Sequence, residues 1–374
     1  MEQGTAKLDM LHGSIWDKIL RFALPVAATA VLGQLFNASD VAVVGNFASG
    51  SRTAAVAAVG ANGPIINLIL GLFIGIALGT TVVIANAIGS DDREGVQNAV
   101  HTSMVMAVVG GVIVAIIGEL MAGGLLTLLK VPEDVYPLSL LYLRIYFLGM
   151  PAILLYNFEA AIFRSIGETK VPLIALASSG VLNVLLNLVF VLGFDMTVNG
   201  VAIATVLSNV VSSAILYRRL RKSDQYIHVD PKRFAIHWGS FRQILRIGLP
   251  AGIQSAVFAV SNIVIQSAIN SLGTIVMAAS SAALNIEIIA YYVMNSFSQA
   301  CATFVGQNYG ANQVKRCRKI LGLCILEDAI ATASAIFIIL FAGKFVLALF
   351  NPDPQVIDIG YSRLLIVFTA YVFS

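Results

Sequence analysis

Charge is scarce in this chain. Asp, Glu, Lys and Arg make up 11% of its 374 residues, against about 25% in soluble domains. Hydrophobic residues make up 58%, and the mean hydropathy is +0.87. That shortage excludes an ordinary soluble domain. Alternating apolar and polar residues over segments of about ten are also missing, which excludes a membrane β-barrel. Cysteine is rare: Cys301 and Cys324 fall in apolar runs and Cys317 in a loop. Three thiols so placed are too few for a disulfide framework or a metal site and read as inert small residues. The N-terminus lacks the pattern of a secretory signal. Glu2, Lys7, Asp9, Asp17, Lys18 and Arg21 precede a first apolar run too long for a signal core. No filter-like motif of an ion channel is present.

What the chain does have is apolar length. Runs of about 20 residues recur, each able to cross a bilayer as a helix. They predict spans at 19–45, 54–88, 96–128, 137–162, 170–193, 198–217, 243–270, 275–306, 317–349 and 356–374. Alternate loops then fall on opposite sides. Lys and Arg gather on the side of the N-terminus, leaving Arg52, Lys130 and Lys344 on the other. By the positive-inside rule the N-terminus is expected to be cytoplasmic. Residues 218–242 form the one long connection, basic and interleaved with Phe234, Trp238 and Phe241. It divides a six-span lobe, 1–217, from a second lobe, 243–374. It is expected to lie on the anionic inner leaflet, and a loop tied to membrane at both ends excludes nucleic acid as a partner.

The two lobes carry one pattern. Leu24-Pro25 opens an apolar run bearing Asn37, and Leu249-Pro250 opens another bearing Asn262 at the same spacing. Downstream, Gly89 matches Gly310, and Tyr142-x-Arg144 matches Tyr361-x-Arg363. A membrane protein of two like halves points to a transporter, because rocking one half against the other gives alternating access. The last run breaks off at Ser374, and repeat symmetry predicts a twelve-span protein of roughly 440 residues.

Polar residues inside the runs carry the chemistry. A carboxylate at mid-span costs about 2.5–3.5 kcal/mol on insertion scales, so Asp40 needs a reason to be there. Asn37 lies three residues earlier on the same face. Asn183 and Asn187 share a face of the fifth run, and Thr205, Ser208 and Asn209 one of the sixth. One titratable oxygen acid among neutral oxygens suits a proton or Na⁺. The position matching Asp40 in the second lobe is Ile265, so the lobes are expected to differ in function. There Glu287, Tyr291, Asn295 and Gln299 form a polar stripe at steps of four. The stripe is read as lining a water-filled cavity, with Glu287 drawing a cationic substrate. Pro25, Pro64, Pro151 and Pro250 lie inside spans and are expected to bend them. Glu327-Asp328 are expected to face the basic Lys315–Lys319 loop.

Several segments together resemble the multidrug and toxic compound extrusion (MATE) family. They are "ALP…FNASDVAVVG", "ANAIGSDDREGV", "FRSIGETKVP", "LNVLLNLVF", "GVAIAT" and "FVGQNYGANQ". The resemblance covers the whole chain. It implies an all-α membrane bundle of six plus six helices in two lobes, about ten of them within this chain, and cation-coupled export. By position it implies that Asp40, Asn183, Asn187 and Thr205 form the cation site. The chain departs from some members in carrying Asn187 where they have aspartate, and Phe258 where a subset has glutamate.

The expected function is a secondary antiporter of a bacterial cytoplasmic membrane, exporting amphipathic organic cations in exchange for H⁺ or Na⁺. A monomer in contact with membrane lipid and free of cofactor is expected. A lipid-linked precursor flippase is the alternative, although it would need cations and only Arg144 and Arg363 approach membrane depth. A membrane enzyme holding Mg²⁺ at Asp91, Asp92 and Glu94 ranks lower, because the matching loop is basic and lacks a second acidic cluster. Ser90 and these acids are expected to cap the third helix instead.

Overall fold

A computed structural model describes residues 8–48, 51–223, 226–270, 272–350 and 353–371. Among them the chain forms eleven α-helices. These are α1 (Trp16–Phe47), α2 (Arg52–Gly89), α3 (Arg93–Leu128), α4 (Tyr136–Leu148), α5 (Met150–Ser165), α6 (Lys170–Leu188), α7 (Val198–Arg221), α8 (Trp238–Asn270), α9 (Thr274–Gly310), α10 (Val314–Phe350) and α11 (Pro354–Tyr371). Eight are individually long and apolar enough to cross a membrane, and there are nine if the bent α4–α5 pair counts as one span; α11, at the predicted tenth span 356–374, is not among them, and residues 372–374 lie outside the described residues. Their outer faces are apolar: Leu120, Leu128, Phe341 and Ile366 are all exposed. Helices apolar on every face need lipid outside.

Three expectations change. The span predicted at 137–162 is two helices meeting at 51°. Pro151 has no N–H for the preceding turn and crowds its carbonyl, so a new helix starts at Met150. Pro25, Pro64 and Pro250 instead lie within continuous helices. The linker is shorter than 218–242, because α7 runs on to Arg221 and α8 begins at Trp238. It is held to α3, where Asp230 N–H donates to His101 Nε2 (3.1 Å) and His237 N–H to Thr102 Oγ1 (3.0 Å). Finally, Cys301 and Cys324, read as isolated inert residues, lie side by side. Their free thiols interact across α9 and α10.

The matched glycines explain how the halves meet. Packing between α1–α7 and α8–α11 runs mainly through α2 against α8 and α9, and α1 against α9. A Cβ on Gly75 would fall 2.2 Å from Gly252 N, and one on Gly79 2.3 Å from Ile244 O. On Gly89 it would meet Gln307 O at 1.8 Å, and on its repeat partner Gly310 it would meet Asn86 O at 2.0 Å. Only residues without side chains allow this approach. All these contacts lie in the half of α2 nearest the linker. Farther away, Leu35 on α1 and Val257, Phe258, Val264 and Ile265 on α8 are exposed. The close helix contacts between the halves are therefore concentrated on the linker side, while these apolar faces on the far side stay uncovered.

Candidate cation site and cleft

Asp40 lies in the far half of α1 and is 3% exposed. It is turned into the first half, against α6 and α7. Asn183 and Asn187, one helical turn apart, present their amides on the inner face of α6. Just past them α6 widens into a π turn, Val189–Gly193, a distortion common at functional sites. Thr205 approaches from α7.

Asn187 Nδ2 donates to Asp40 Oδ1 (2.6 Å), and Thr205 Oγ1 donates to Asp40 Oδ2 (2.9 Å). Asn183 Nδ2 donates to Thr205 Oγ1 at 3.3 Å, and Asn183 Oδ1 accepts from Asn187 Nδ2 at 3.3 Å. The four residues predicted for the site thus form one network. One acceptor stays idle, because Asn187 Oδ1 is buried without a partner. A buried unsatisfied oxygen calls for an explanation. Beside a carboxylate, an excess of acceptors fits a bound cation. Tyr142 and Tyr146 of α4, stacked at 6.2 Å, lie within electrostatic range of Asp40. Their four-residue spacing was visible in the sequence, but their nearness to Asp40 was not.

The predicted cavity residues behave differently. Asn37 is exposed on α1. Tyr291 stacks on Phe258 with ring centroids 5.6 Å apart and planes 9° apart. Gln299 donates to Asn295 Oδ1 (2.7 Å) and accepts from Arg164 Nη1 (3.2 Å). The lower part of the stripe is thus a bond between the two halves, and sequence reasoning missed Arg164 by placing it in a loop. Glu287 departs from its expected role. Arg363 Nε and Nη2 donate to its two oxygens at 2.9 and 3.1 Å. Paired in this way, its carboxylate is not open to a substrate cation.

The acidic loop after α2 is structural. Asp92 Oδ1 accepts from Gly95 N–H (2.9 Å), capping α3, and Asp91 Oδ1 accepts from Tyr226 (3.2 Å). Ser90 departs from its predicted role: it bonds the last carbonyls of α2, those of Asn86 and Ala87. Among the described residues, no group of three His, Cys, Asp or Glu side chains is placed to hold a metal ion.

The MatE family profile matches residues 25–189 and 250–374, one stretch in each half. The chain belongs to the MatE family. It is a multi-pass membrane transporter, not an enzyme. It is 27% identical over 373 residues to the probable multidrug resistance protein YoeA of Bacillus subtilis, covering 96% of this chain and 78% of that protein. It is 26% identical to the probable multidrug resistance protein NorM of Thermotoga maritima, covering 92% and 74%. A solved structure described as the outward-facing conformation of a multidrug resistance MATE family transporter superposes with a TM-score of 0.88 at 25% identity, covering 99% of this chain and 82% of that one.

Proposed function

We propose that this MatE protein exports organic compounds by exchange for a monovalent cation, H⁺ or Na⁺, bound at Asp40. Amphipathic organic cations are the substrates that suit a cleft with apolar walls and a carboxylate behind one of them. The linker side is cytoplasmic, so the cleft opens outward. The observation that carries the reading is the Asp40 network, an enclosed carboxylate with Asn187 Oδ1 left as an idle acceptor.

The mechanism follows from two ligands competing for one set of helices. A cation entering from the cleft neutralises Asp40 and recruits Asn183, Asn187 and Thr205 around it. This repositions α1, whose far half forms a cleft wall, and weakens its hold on the substrate. By linkage, each ligand lowers the affinity for the other, so they exchange rather than travel together.

The flippase alternative loses its cations. Arg144 is paired with Glu119 at 2.8 Å and Arg363 with Glu287 at 2.9 Å.

The test is energised efflux of a fluorescent organic cation, with Asp40→Asn as the paired control at equal membrane expression. The variant is expected to lose coupled efflux by at least about tenfold, or about 1.4 kcal/mol. Collapsing the H⁺ and Na⁺ gradients separately then names the ion. Undiminished, gradient-dependent efflux by the variant would refute the coupling role.

A further inference from the structure

Most acids outside the Asp40 network sit in ion pairs or at exposed helix ends. Glu327 does neither. It lies on the face of α10 that carries Ile320, Cys324 and Ala331, and that face packs against Ile19, Phe22 and Ala23 of α1 and Phe297, Ala300 and Phe304 of α9. The residue is 3% exposed, and neither carboxylate oxygen has a hydrogen-bond partner. Two further acids accompany it. Asp17, in the first turn of α1, lies within charge–charge range, and Asp328 is its neighbour on α10. Asp17 is half-buried and is bonded by Ser14, and Asp328 is half-buried with Oδ1 unpartnered.

The place matters as much as the chemistry. Here α1 of the first half is clasped by the second half on the linker side. Asn308 Nδ2 and Arg316 both donate to Met10 O, and Arg316 also donates to Gly13 O, which ties the segment before α1 onto α9 and α10.

Nearby cations are engaged elsewhere. Arg21 approaches Asp17 Oδ2 at 3.7 Å. Lys18 Nζ donates to Asp9 O and His12 O. From α9 the titratable group here is Cys301, whose thiol meets Cys324. On α11, Arg363 is bound to Glu287 and Asp358 to Lys344. Lys315, Arg318 and Lys319, at the start of α10, are exposed. Among the described residues no ion pair reaches Glu327.

An ionised carboxylate in such a place loses its hydration and faces the like charge of Asp17. A proton removes both penalties. A metal ion would need a ligand set that the described residues do not provide. We propose that Glu327 is a second cation site, binding one proton while the halves are joined on the linker side and releasing it when they part there.

The step is simple: the proton comes from water on the linker side, bonds to one carboxylate oxygen, and returns to that water. When the joint opens, water replaces the apolar wall and the anion becomes stable. The inference goes beyond the antiport reading. It requires that the halves part on the linker side, not that Asp40 couples transport.

The experiment places spectroscopic labels on the full chain in lipid nanodiscs, at Lys222 and Lys315 on opposite halves. Noncanonical amino acids carry the labels, so the three cysteines stay intact. An Asp40→Asn background removes that residue's titration. As pH rises from about 5 to about 9, the population with widely separated labels should grow, by at most about tenfold per pH unit for one proton. Adding Glu327→Gln should abolish the response and hold the short distance. Glu327→Asp should keep the response with a displaced midpoint, which guards against a Gln variant that merely misfolds. An unchanged pH curve in the Gln variant overturns the proposal. So does a parent that does not respond to pH, or a distance that follows Na⁺ at fixed pH. The dye-efflux test of Asp40 succeeds or fails independently of these distances.

Discussion

Where α1 carries Asp40, the repeat places Ile265 on α8, and the two residues live in opposite surroundings. Asp40 is turned into the first half among amides and a hydroxyl, whereas Ile265 is half-exposed and apolar. The arginines of the two Tyr-x-Arg repeats diverge in the same way. Arg144 pairs with Glu119 on α3 with its side chain 54% exposed, while Arg363 pairs with Glu287 on α9 at 22%. Duplication therefore kept the frame of prolines, glycines and arginines while the acids moved. The first half holds its carboxylate among neutral donors, with no ion-pair partner among the described residues. In the second half, the acid on the polar stripe, Glu287, is answered by an internal partner, Arg363. A symmetric scaffold thus carries an asymmetric charge pattern.

The largest expected effect separates the two arginine pairs. Glu287→Ala strands Arg363 in a half-buried position and should cost about 2–4 kcal/mol, somewhat less than a fully buried pair. Glu119→Ala removes a more exposed pair and should cost about 0–1 kcal/mol. Replacing Glu287 and Arg363 together by leucines should recover most of the loss, because two matched apolar groups need no counter-charge. Thermal unfolding in nanodiscs, run side by side, reads all three. Equal losses for the two single variants would erase the distinction drawn between the halves.

A smaller effect tests what the halves share. Gly89→Val and Gly310→Val each push a side chain into the partner helix's backbone. Overpacking of this kind costs about 1–3 kcal/mol, and the two losses should be alike because the positions are related by the repeat. Gly60→Ala, with nothing within 4 Å of the added carbon, should be neutral or stabilising by up to about 1 kcal/mol. Unfolding midpoints check the cost. Label distances across the linker side check that the joint itself has loosened.

This frame was legible in the chain. The apolar runs marked nine of the ten predicted spans, and the residues picked out at Asp40, Asn183, Asn187 and Thr205 do form one hydrogen-bonded network. What stayed hidden was rotation. Helical periodicity places Glu287, Tyr291, Asn295 and Gln299 on one face, but it does not say which neighbour that face meets. Arg363 turned out to close its upper end and Arg164 its lower end. The break at Gly149 was hidden for a related reason. A proline within an apolar run is compatible with both a kink and a new helix, and Pro25 and Pro151 took different courses.

The smallest expected effect concerns the clasp that crosses from one half to the other ahead of α1. Asp9 Oδ1 accepts from the N–H groups of Leu11 and His12 at 3.0 and 3.1 Å, shaping the turn that buries Met10. Burial alone would push this carboxyl up. The Leu11 and His12 N–H groups, with Lys18 and His12 beside it, outweigh that and hold it below the ordinary value of 3.8. A depressed value gives stability that is fully present above about pH 4 and is lost as pH falls through the folded-state value. Asp9 is 53% exposed, so screening limits the contribution to under about 1 kcal/mol. Asp9→Ala should therefore lower the unfolding midpoint slightly and by a constant amount between about pH 5 and pH 8. The difference should vanish in stronger acid, where the parent's carboxylate is protonated as well. A difference that instead grew on acidification would show that the charge of Asp9 opposes the clasp.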